Sequence, residues 1–328
     1  MSGHGFSGKK VLITGGIGFI GSHLAMRLVE DGATVTVIDS MMPEYGGNLE
    51  NISTVKPRIA INISDVRDPY SMAYLILNHD FLFNLAGQSS HLDSMNDPFT
   101  DEEINIRAQL HILEACRRYN STIKIIFAST RQIYGKPLRL PVDETHPIQP
   151  VDVNGINKYA GELYHILYHQ VYGINTCILR LTNTYGPHMR IKDARQTFVG
   201  LWIRHLLEGK PIEVWGGDQL RDFNFVDDVV EAMILAAIND NTSGVVFNLG
   251  GDEVVSVATL AKLMVELHGK GQYAIRDYPV DRKRIDIGDY YGDYGKIHRV
   301  LGWEPKTSLH EGLAVTINFY EENIDKYL

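Results

Sequence analysis

The sequence predicts an α/β fold: a doubly wound parallel sheet of the Rossmann type, with a smaller C-terminal α/β lobe that binds substrate. Three observations carry that prediction. Short apolar runs of strand character alternate with helical patterns through residues 1–180, the rhythm of βαβ units. Gly15, Gly18 and Gly21 fall between the first strand and the first helix. Asp39 closes the second strand.

Residues 11–14 (VLIT) are an apolar run of the buried-strand type. Gly15 permits the tight turn out of that strand, Gly18 lets the backbone approach a pyrophosphate, and Gly21 lets the next helix pack closely on the sheet. Phe19 and Ile20 open that helix, whose apolar positions continue at Leu24, Ala25 and Leu28. A helix N-terminus offers unpaired N–H groups and a partial positive charge to an anion. Residues 34–38 form the second strand. Asp39, with Ser40 beside it, stands where a carboxylate accepts hydrogen bonds from an adenosine ribose. That acid, and the lack of Arg in residues 40–46, favour NAD over NADP, because an acid repels a 2′-phosphate.

Further strands are expected at 59–63, 81–86, 124–128 and 176–181, and helices at 69–78, 104–119 and 157–172. A proline-containing loop covers 137–150. After Tyr185 the rhythm changes. Helices at 198–208, 226–239 and 259–268 interleave with strands at 213–215 and 245–249. The chain therefore divides into an NAD-binding domain, 1–185, and a second lobe, 186–328, interleaved with it. The lobe is expected to cover the carboxyl ends of the strands, where open α/β sheets bind ligands.

Composition narrows the class. The 328 residues are 44% hydrophobic and 22% charged, as in ordinary globular proteins. A net charge of -9 argues against nonspecific nucleic-acid binding. Cys116 and Cys177 lie in apolar segments without metal-ligand spacing and read as buried thiols, not a disulfide. No apolar span approaches the length a membrane needs, and MSGHGFSGKK has no signal-peptide core. A soluble cytoplasmic protein is expected. His165 and His169 have the spacing of a metal pair, but no third ligand follows. No metal is expected, and these histidines read as an exposed or dimer-facing helix surface.

Seven motifs now stand in order: TGGIGFIGSH (14–23), FNLAGQSS (83–90), ASTRQIYG (128–135), NKYAGE (157–162), RLTNTYGP (180–187), RDFNFVDD (221–228) and LGWEPKTSLHEGL (301–313). Together they resemble the extended short-chain dehydrogenases/reductases, specifically the nucleotide-sugar epimerases and dehydratases. The resemblance spans essentially the whole chain and is more specific for the fold than for the reaction. It implies that Asp65 and Val66 contact the adenine, and that Leu85, Ala86 and Gly87 lie beside the nicotinamide ribose. Gln88 is shared between the cofactor and substrate sets. Asn105 braces the strand ends. Lys158 bonds the nicotinamide ribose, and Thr182 follows the strand that ends near the nicotinamide. Asn183 and Arg221 resemble groups that hold a sugar-nucleotide diphosphate. The run 281–286 resembles a second diphosphate-arginine site whose shifted spacing leaves both Arg282 and Arg284 open. The resemblance also implies a homodimer built on the helices at 104–119 and 157–172.

The chain departs from that family at its centre. The family's active site is a Ser or Thr, a Tyr, and a Lys four residues after the Tyr. Thr130 fits the hydroxyl and Lys158 the lysine, but Asn154 stands at the tyrosine position. An amide does not ionise near neutral pH, so Asn154 is no general base. Tyr159 falls on a different helix face. Three readings stay open. Another group supplies the base: Lys158 itself, His91, Asp93 or a tyrosine. Alternatively, Asn154 orients a water or the substrate. In the third, the protein binds NAD and a sugar nucleotide without turnover.

The 4,6-dehydratases carry Asp-Glu directly after the active-site Thr. Here Arg131 and Gln132 stand there, and neither transfers protons at neutral pH. Arg131 is read either as a ligand for a substrate carboxylate or hydroxyl, or as the partner of a neighbouring acid. The expectation is an NAD-dependent nucleotide-sugar epimerase that oxidises its sugar transiently and returns the hydride, with Thr130, Lys158 and Asn154 at the reacting centre. A 2-epimerase-like reaction, other keto-sugar chemistry (dehydrogenation, reduction, an unusual dehydration) and a non-catalytic binding protein are the alternatives.

Overall fold

Seven parallel strands form the central sheet of the computed structural model, which describes residues 5–45 and 47–328. Six of them come before Tyr185: β1 (Lys10–Thr14), β2 (Thr34–Asp39), β3 (Ala60–Ile63), β4 (Phe81–Asn84), β5 (Lys124–Thr130) and β6 (Asn175–Leu181). Then follow β7 (Asn183–Tyr185), β8 (Ile212–Trp215), β9 (Leu220–Phe225), β10 (Val245–Asn248), β11 (Val254–Ser256) and β12 (Tyr273–Arg276). The sheet order is β10-β6-β5-β4-β1-β2-β3. The winding reverses between β1 and β4, which opens a crevice at the carboxyl ends of those two strands.

Helices cover both faces. They are α1 (Phe19–Glu30), α2 (Pro69–Leu75), α3 (His91–Asn96), α4 (Pro98–Glu102), α5 (Ala108–Tyr119), α6 (Val153–Tyr172), α7 (Phe198–Leu207), α8 (Val226–Ile238), α9 (Val257–His268) and α10 (Val280–Lys283). On one face Leu24 and Leu28 of α1 meet Val229 and Met233 of α8. On the other, Ile112 and Cys116 of α5 pack with Tyr168 of α6. The small sheets β11-β9-β7 and β12-β8 belong to the lobe, whose core includes Trp202, Leu260, Met264 and Leu313.

The chain crosses the expected 185/186 division more than once. β10 pairs with β6, and α8 packs on the central sheet, so both belong structurally with the N-terminal strands. Two helices begin earlier than the apolar pattern indicates. The long helix α6 starts at Val153, because the Asp152 carboxylate accepts the Gly155 N–H at 2.7 Å and caps it. This sets Asn154 inside the first turn. Before α5, α4 runs into a π-helical turn, Glu103–Arg107, which carries Asn105. Such wide turns are frequent at functional sites.

Both cysteines are free and buried, as their apolar surroundings suggested. His165 is a correction: it is fully buried, not exposed or dimer-facing. Its ring stacks on Phe127 with centroids 4.1 Å apart, and burial pushes its pKa down to about 4. The apolar count of α6 hid this, since a neutral imidazole packs as an aromatic ring once its Nδ1 faces the Gly161 carbonyl at 2.8 Å. Among the described residues no group of three or more His, Cys, Asp or Glu is placed to hold a metal ion.

Candidate active site

A cavity of about 900 Å³ runs along the carboxyl ends of the strands, from the glycine turn after β1 to the lobe. Gly15, Gly18, Phe19, Ile20 and Gly21 line its first end. Gly15 has φ +68°, and a Cβ there would sit 3.1 Å from the Ala86 nitrogen. At Gly21 a Cβ would lie only 2.2 Å from the Gly15 carbonyl oxygen, so any side chain would push α1 off the turn. Gly18 precedes α1 without a side-chain cap, which leaves the first amides of the helix open to an anion.

The Asp39 carboxylate accepts the Ile17 N–H at 3.2 Å and the Met41 N–H at 2.9 Å. Burial holds its pKa above the ordinary value against those bonds. Ser40, Asp65 and Val66 line the same end. Asp65 is paired with Arg67 at 2.7 Å.

At the middle of the cavity, Leu85, Ala86, Gly87 and Gln88 follow β4, and Thr130, Asn154 and Lys158 face the same space. Lys158 Nζ donates to the Ala128 carbonyl at 2.8 Å and lies 4.8 Å over the Phe127 ring. Burial pushes its pKa down to about 8. Asn105 sits behind the wall. Its Nδ2 donates to the Gln88 carbonyl at 3.0 Å, while its buried Oδ1 has no hydrogen-bond partner among the described residues. A Cβ on Gly87 would fall 3.1 Å from that Oδ1 and 3.4 Å from Lys158 Nζ. The missing side chain leaves a gap between an orphan acceptor and an amine, a fit for ribose hydroxyls.

Asn154 is spent on structure. Its Nδ2 donates to the Gln88 carbonyl at 2.7 Å and to Asp101 Oδ2 at 3.1 Å. Asn157 donates to the other Asp101 oxygen at 2.8 Å. The Thr130 oxygen accepts the Gln132 N–H at 3.2 Å, which caps a short turn and leaves the hydroxyl proton available.

The far end holds the arginines. Arg131 donates to Asn183 Oδ1 at 2.8 Å and lies over Tyr290, 5.2 Å from the ring centroid. Its partner is thus an amide and not an acid. Its other terminal nitrogen is shielded and makes no hydrogen bond among the described residues. Burial, and then the Arg221 charge, push its pKa down to about 10. Arg221 bonds the Gly288 carbonyl and lies 3.3 Å from Asp286. Thr182 gives its hydroxyl to Asp222, whose other oxygen accepts the Gly292 and Gly251 amides at 3.0 and 3.2 Å. Arg282 lines the cavity and covers Trp215 at 4.2 Å, whereas Arg284 is exposed and outside it.

Sequence reasoning missed Trp215 and Tyr278, whose rings lie 6.2 Å apart at this end. The apolar strand that stops at Trp215 before Gly216-Gly217 was the signal. It also missed the segment 192–197, whose Arg195 reaches across to Asp93 at 2.9 Å.

The chain as a whole is similar to known proteins. A family model described as GDP-mannose 4,6 dehydratase matches residues 12–316. The chain is 32% identical over 328 residues to UDP-glucuronic acid decarboxylase 1 of Xenopus tropicalis, covering 97% of this chain and 73% of that protein. It superposes with a TM-score of 0.87 on a UDP-glucose 4-epimerase of Thermotoga maritima solved with UDP-glucose, at 32% identity over 96% of this chain and 99% of that one. The dTDP-glucose 4,6-dehydratase DesIV of Streptomyces venezuelae, solved with NAD, gives a TM-score of 0.88 at 26% identity, covering 96% and 98% of the two chains.

Proposed function

The chain belongs to the extended short-chain dehydrogenase/reductase family of nucleotide-sugar epimerases and dehydratases, and from that premise we propose that it is an NAD-dependent nucleotide-sugar epimerase. The cofactor is NAD, which takes a hydride from a sugar carbon and gives it back. The glycine turn and the first turn of α1 hold the pyrophosphate, and Asp39 holds the adenosine ribose. Asp65 and Val66 flank the adenine. Lys158 and the Asn105 acceptor hold the nicotinamide ribose. Thr130 donates its hydroxyl proton to the reacting sugar oxygen, with Gln88 beside it. Asn183, Arg221 and Arg282 hold the sugar-nucleotide diphosphate, for which paired guanidinium forks are suited. Trp215 and Tyr278 offer faces on which the nucleotide base stacks.

One observation carries the choice of epimerisation over dehydration. The two residues after Thr130 have no acidic proton, and both are engaged. Arg131 bonds Asn183, and Gln132 donates to Asp152 at 2.7 Å. An elimination would need a proton donor and a proton acceptor there. An epimerisation needs removal of a hydride and of the hydroxyl proton, rotation of the keto-sugar and return of both, with the hydride added to the other face, and no second proton donor for a leaving group.

A second reading follows from Arg131, which lines the cavity directly after Thr130 and bonds an amide instead of an acid. A carboxylated sugar would satisfy it. Oxidation next to C5 of a nucleotide hexuronate gives a β-keto acid, which loses carbon dioxide, so decarboxylation competes with epimerisation on such a substrate.

The protein is proposed to work as a cytoplasmic homodimer. No helix among the described residues is long and apolar enough to cross a membrane. The test is incubation with UDP-, GDP-, CDP- and dTDP-sugars, hexuronates included, in deuterated water, each product read by NMR. A new stereoisomer with no deuterium at the inverted carbon is expected. Deuterium beside a carbonyl-derived carbon would mean enolisation or elimination, and a pentose with released carbon dioxide would mean decarboxylation. Binding without any new product would leave a non-catalytic protein.

A further inference from the structure

We propose that His91 is the catalytic acid/base of this enzyme and that Asp152 orients it, the pair doing the work of the tyrosine that the chain lacks. The proposal rests on the epimerase reading above.

A hydroxyl that becomes a carbonyl must hand its proton to a neighbouring group. Most candidates in the cavity are committed. Asn154 cannot ionise and braces Gln88 and Asp101. Asp93 pairs with Arg195 at 2.9 Å. Tyr278 donates to Asp286 at 3.2 Å, beside Trp215 at the far end. Lys158 donates to the Ala128 carbonyl at 2.8 Å.

His91 differs from all of these. It is the first residue of α3, it lines the cavity, and its side chain is 39% exposed. Its Nδ1 is shut off from solvent and lies 3.1 Å from Asp152 Oδ2, within ion-pair reach but too far off the N–H direction to form a hydrogen bond in this geometry. Catalytic hydrogen bonds are often imperfect before a ligand closes the site. With Nδ1 directed inward, the exposed edge of the ring is the one that carries Nε2.

Asp152 is built to hold that ring. Its side chain is 0% exposed. Gly155 donates to one oxygen at 2.7 Å and Gln132 to the other at 2.7 Å. Burial alone would raise its pKa, but the neighbouring imidazole and these bonds outweigh it and keep the group below the ordinary carboxylate range. An ionised carboxylate at Nδ1 selects the tautomer with the proton on Nδ1 and leaves Nε2 a bare acceptor. This is the orientation logic of a His–Asp pair in nucleophilic enzymes, used here for a sugar hydroxyl.

The location is also right. Asp152 caps α6 two residues before Asn154, and the Asn154 N–H donates to Ser94 Oγ of α3 at 3.2 Å. His91 therefore stands against the same first turn of α6 from which a tyrosine at 154 would project. The same helix carries Lys158 one turn later. In the oxidation, the reacting hydroxyl gives its proton to Nε2 while its carbon gives a hydride to the cofactor, and the C–O bond becomes C=O. On return the hydride adds to the opposite face of that carbon, and Nε2 gives the proton back to the oxygen. Nothing is consumed.

Two measurements test this. In the NAD-loaded protein with ¹⁵N-labelled histidine, assigned through His91→Gln, NMR should find His91 protonated on Nδ1. Its Nε2 resonance should move when UDP-glucose or UDP-glucuronate is added. A proton on Nε2, or a ring that neither probe moves, overturns the proposal. On a sugar that the wild type inverts, His91→Ala should lower kcat by about a hundredfold or more, within the range for general acid–base groups. KM should change little, and added imidazole should restore turnover. Asp152→Asn should slow turnover without imidazole rescue. A His91→Ala enzyme of near-normal kcat overturns the role of His91 and leaves the epimerase intact. A wild type that binds nucleotide sugars and inverts none overturns both.

Discussion

Restoring a tyrosine at position 154 would cost this protein stability before it could help catalysis. The Asn154 amide satisfies the Gln88 carbonyl and one oxygen of buried Asp101, at 2.7 and 3.1 Å. Asn154→Tyr removes both bonds and inserts a ring where the side chain is 2% exposed. A loss of about 2–4 kcal/mol is expected in denaturant unfolding, from unpaired buried acceptors and overpacking. An unchanged midpoint would show that the amide network is dispensable. Lys158 makes a prediction of opposite character, in pH. Its pKa falls from 10.5 in an ordinary lysine to about 8, through burial. Between those values the unfolded chain holds a proton that the folded chain does not, so the contribution of Lys158 to stability rises with pH across that window. Below pH 8 both states are charged and the penalty for burying the ammonium is constant. The stability difference between wild type and Lys158→Met should therefore shift toward the wild type by roughly 2–3 kcal/mol from pH 8 to 10.5. Urea unfolding of both proteins at the two pH values measures it, and a flat difference would mean that the amine is solvated.

The join between β5, β6 and α6 depends on a buried ion pair. Glu162 of α6 is 0% exposed and accepts from Arg180 of β6 and, at 2.8 Å, from Ser129 of β5. Arg180 also donates to the Tyr134 hydroxyl at 2.6 Å, which in turn donates to Asn248 Oδ1 of β10 at 2.7 Å. One polar chain thus ties the strand that enters from the lobe to the helix that carries Lys158. Removing one member leaves an uncompensated buried charge. Glu162→Leu should cost about 3–5 kcal/mol, and most of that loss should return in the double variant Glu162→Leu/Arg180→Met. Additive losses in the cycle would refute the pairing. None of this was readable in the sequence, because each partner lies in a different element and no local pattern links them. What was readable shares one property: the signal sits within one turn or one strand. The glycine turn and Asp39 announce themselves through neighbours a few residues away, and Thr130 and Lys158 through short motifs that resemble the family's. His165 misled because its neighbours along the helix do not reveal that Phe127 of β5 covers it. Arg282 and Arg284, two residues apart, were separable only once α10 showed which one covers Trp215. Strands β7 and β9, with polar sequences NTY and LRDFNF, gave no apolar alternation, yet they place Asn183 and Arg221 at the cavity.

At the scale of the whole molecule, the crevice explains one side of the sheet and leaves the outer face of α6 unexplained. Ile156, Leu163, Leu167 and Val171 are 53%, 45%, 46% and 59% exposed. Their spacing of seven, four and four residues sets them in one stripe along the helix. Phe99 of α4, 80% exposed, and Tyr172 at 49% add to the apolar surface of this part of the molecule. A stripe of this kind on one long helix, with α5 packed alongside it, is suited to an isologous contact in which each copy offers the same face to the other. The crevice opens at the strand ends, so a contact through α6 leaves it accessible in both copies. It also bears on catalysis, because Asp152 caps α6, its first turn carries Asn154, and the next turn carries Lys158. A dimer that clamps α6 would hold those groups at fixed register against α3. Light scattering should therefore give a mass of twice the 36.9 kDa chain. Leu163→Glu/Leu167→Glu, which places charges on the stripe, should give monomers that keep bound NAD but lose turnover. Monomers with full turnover would confine the stripe to assembly, and a double variant that stays dimeric would move the interface to another face.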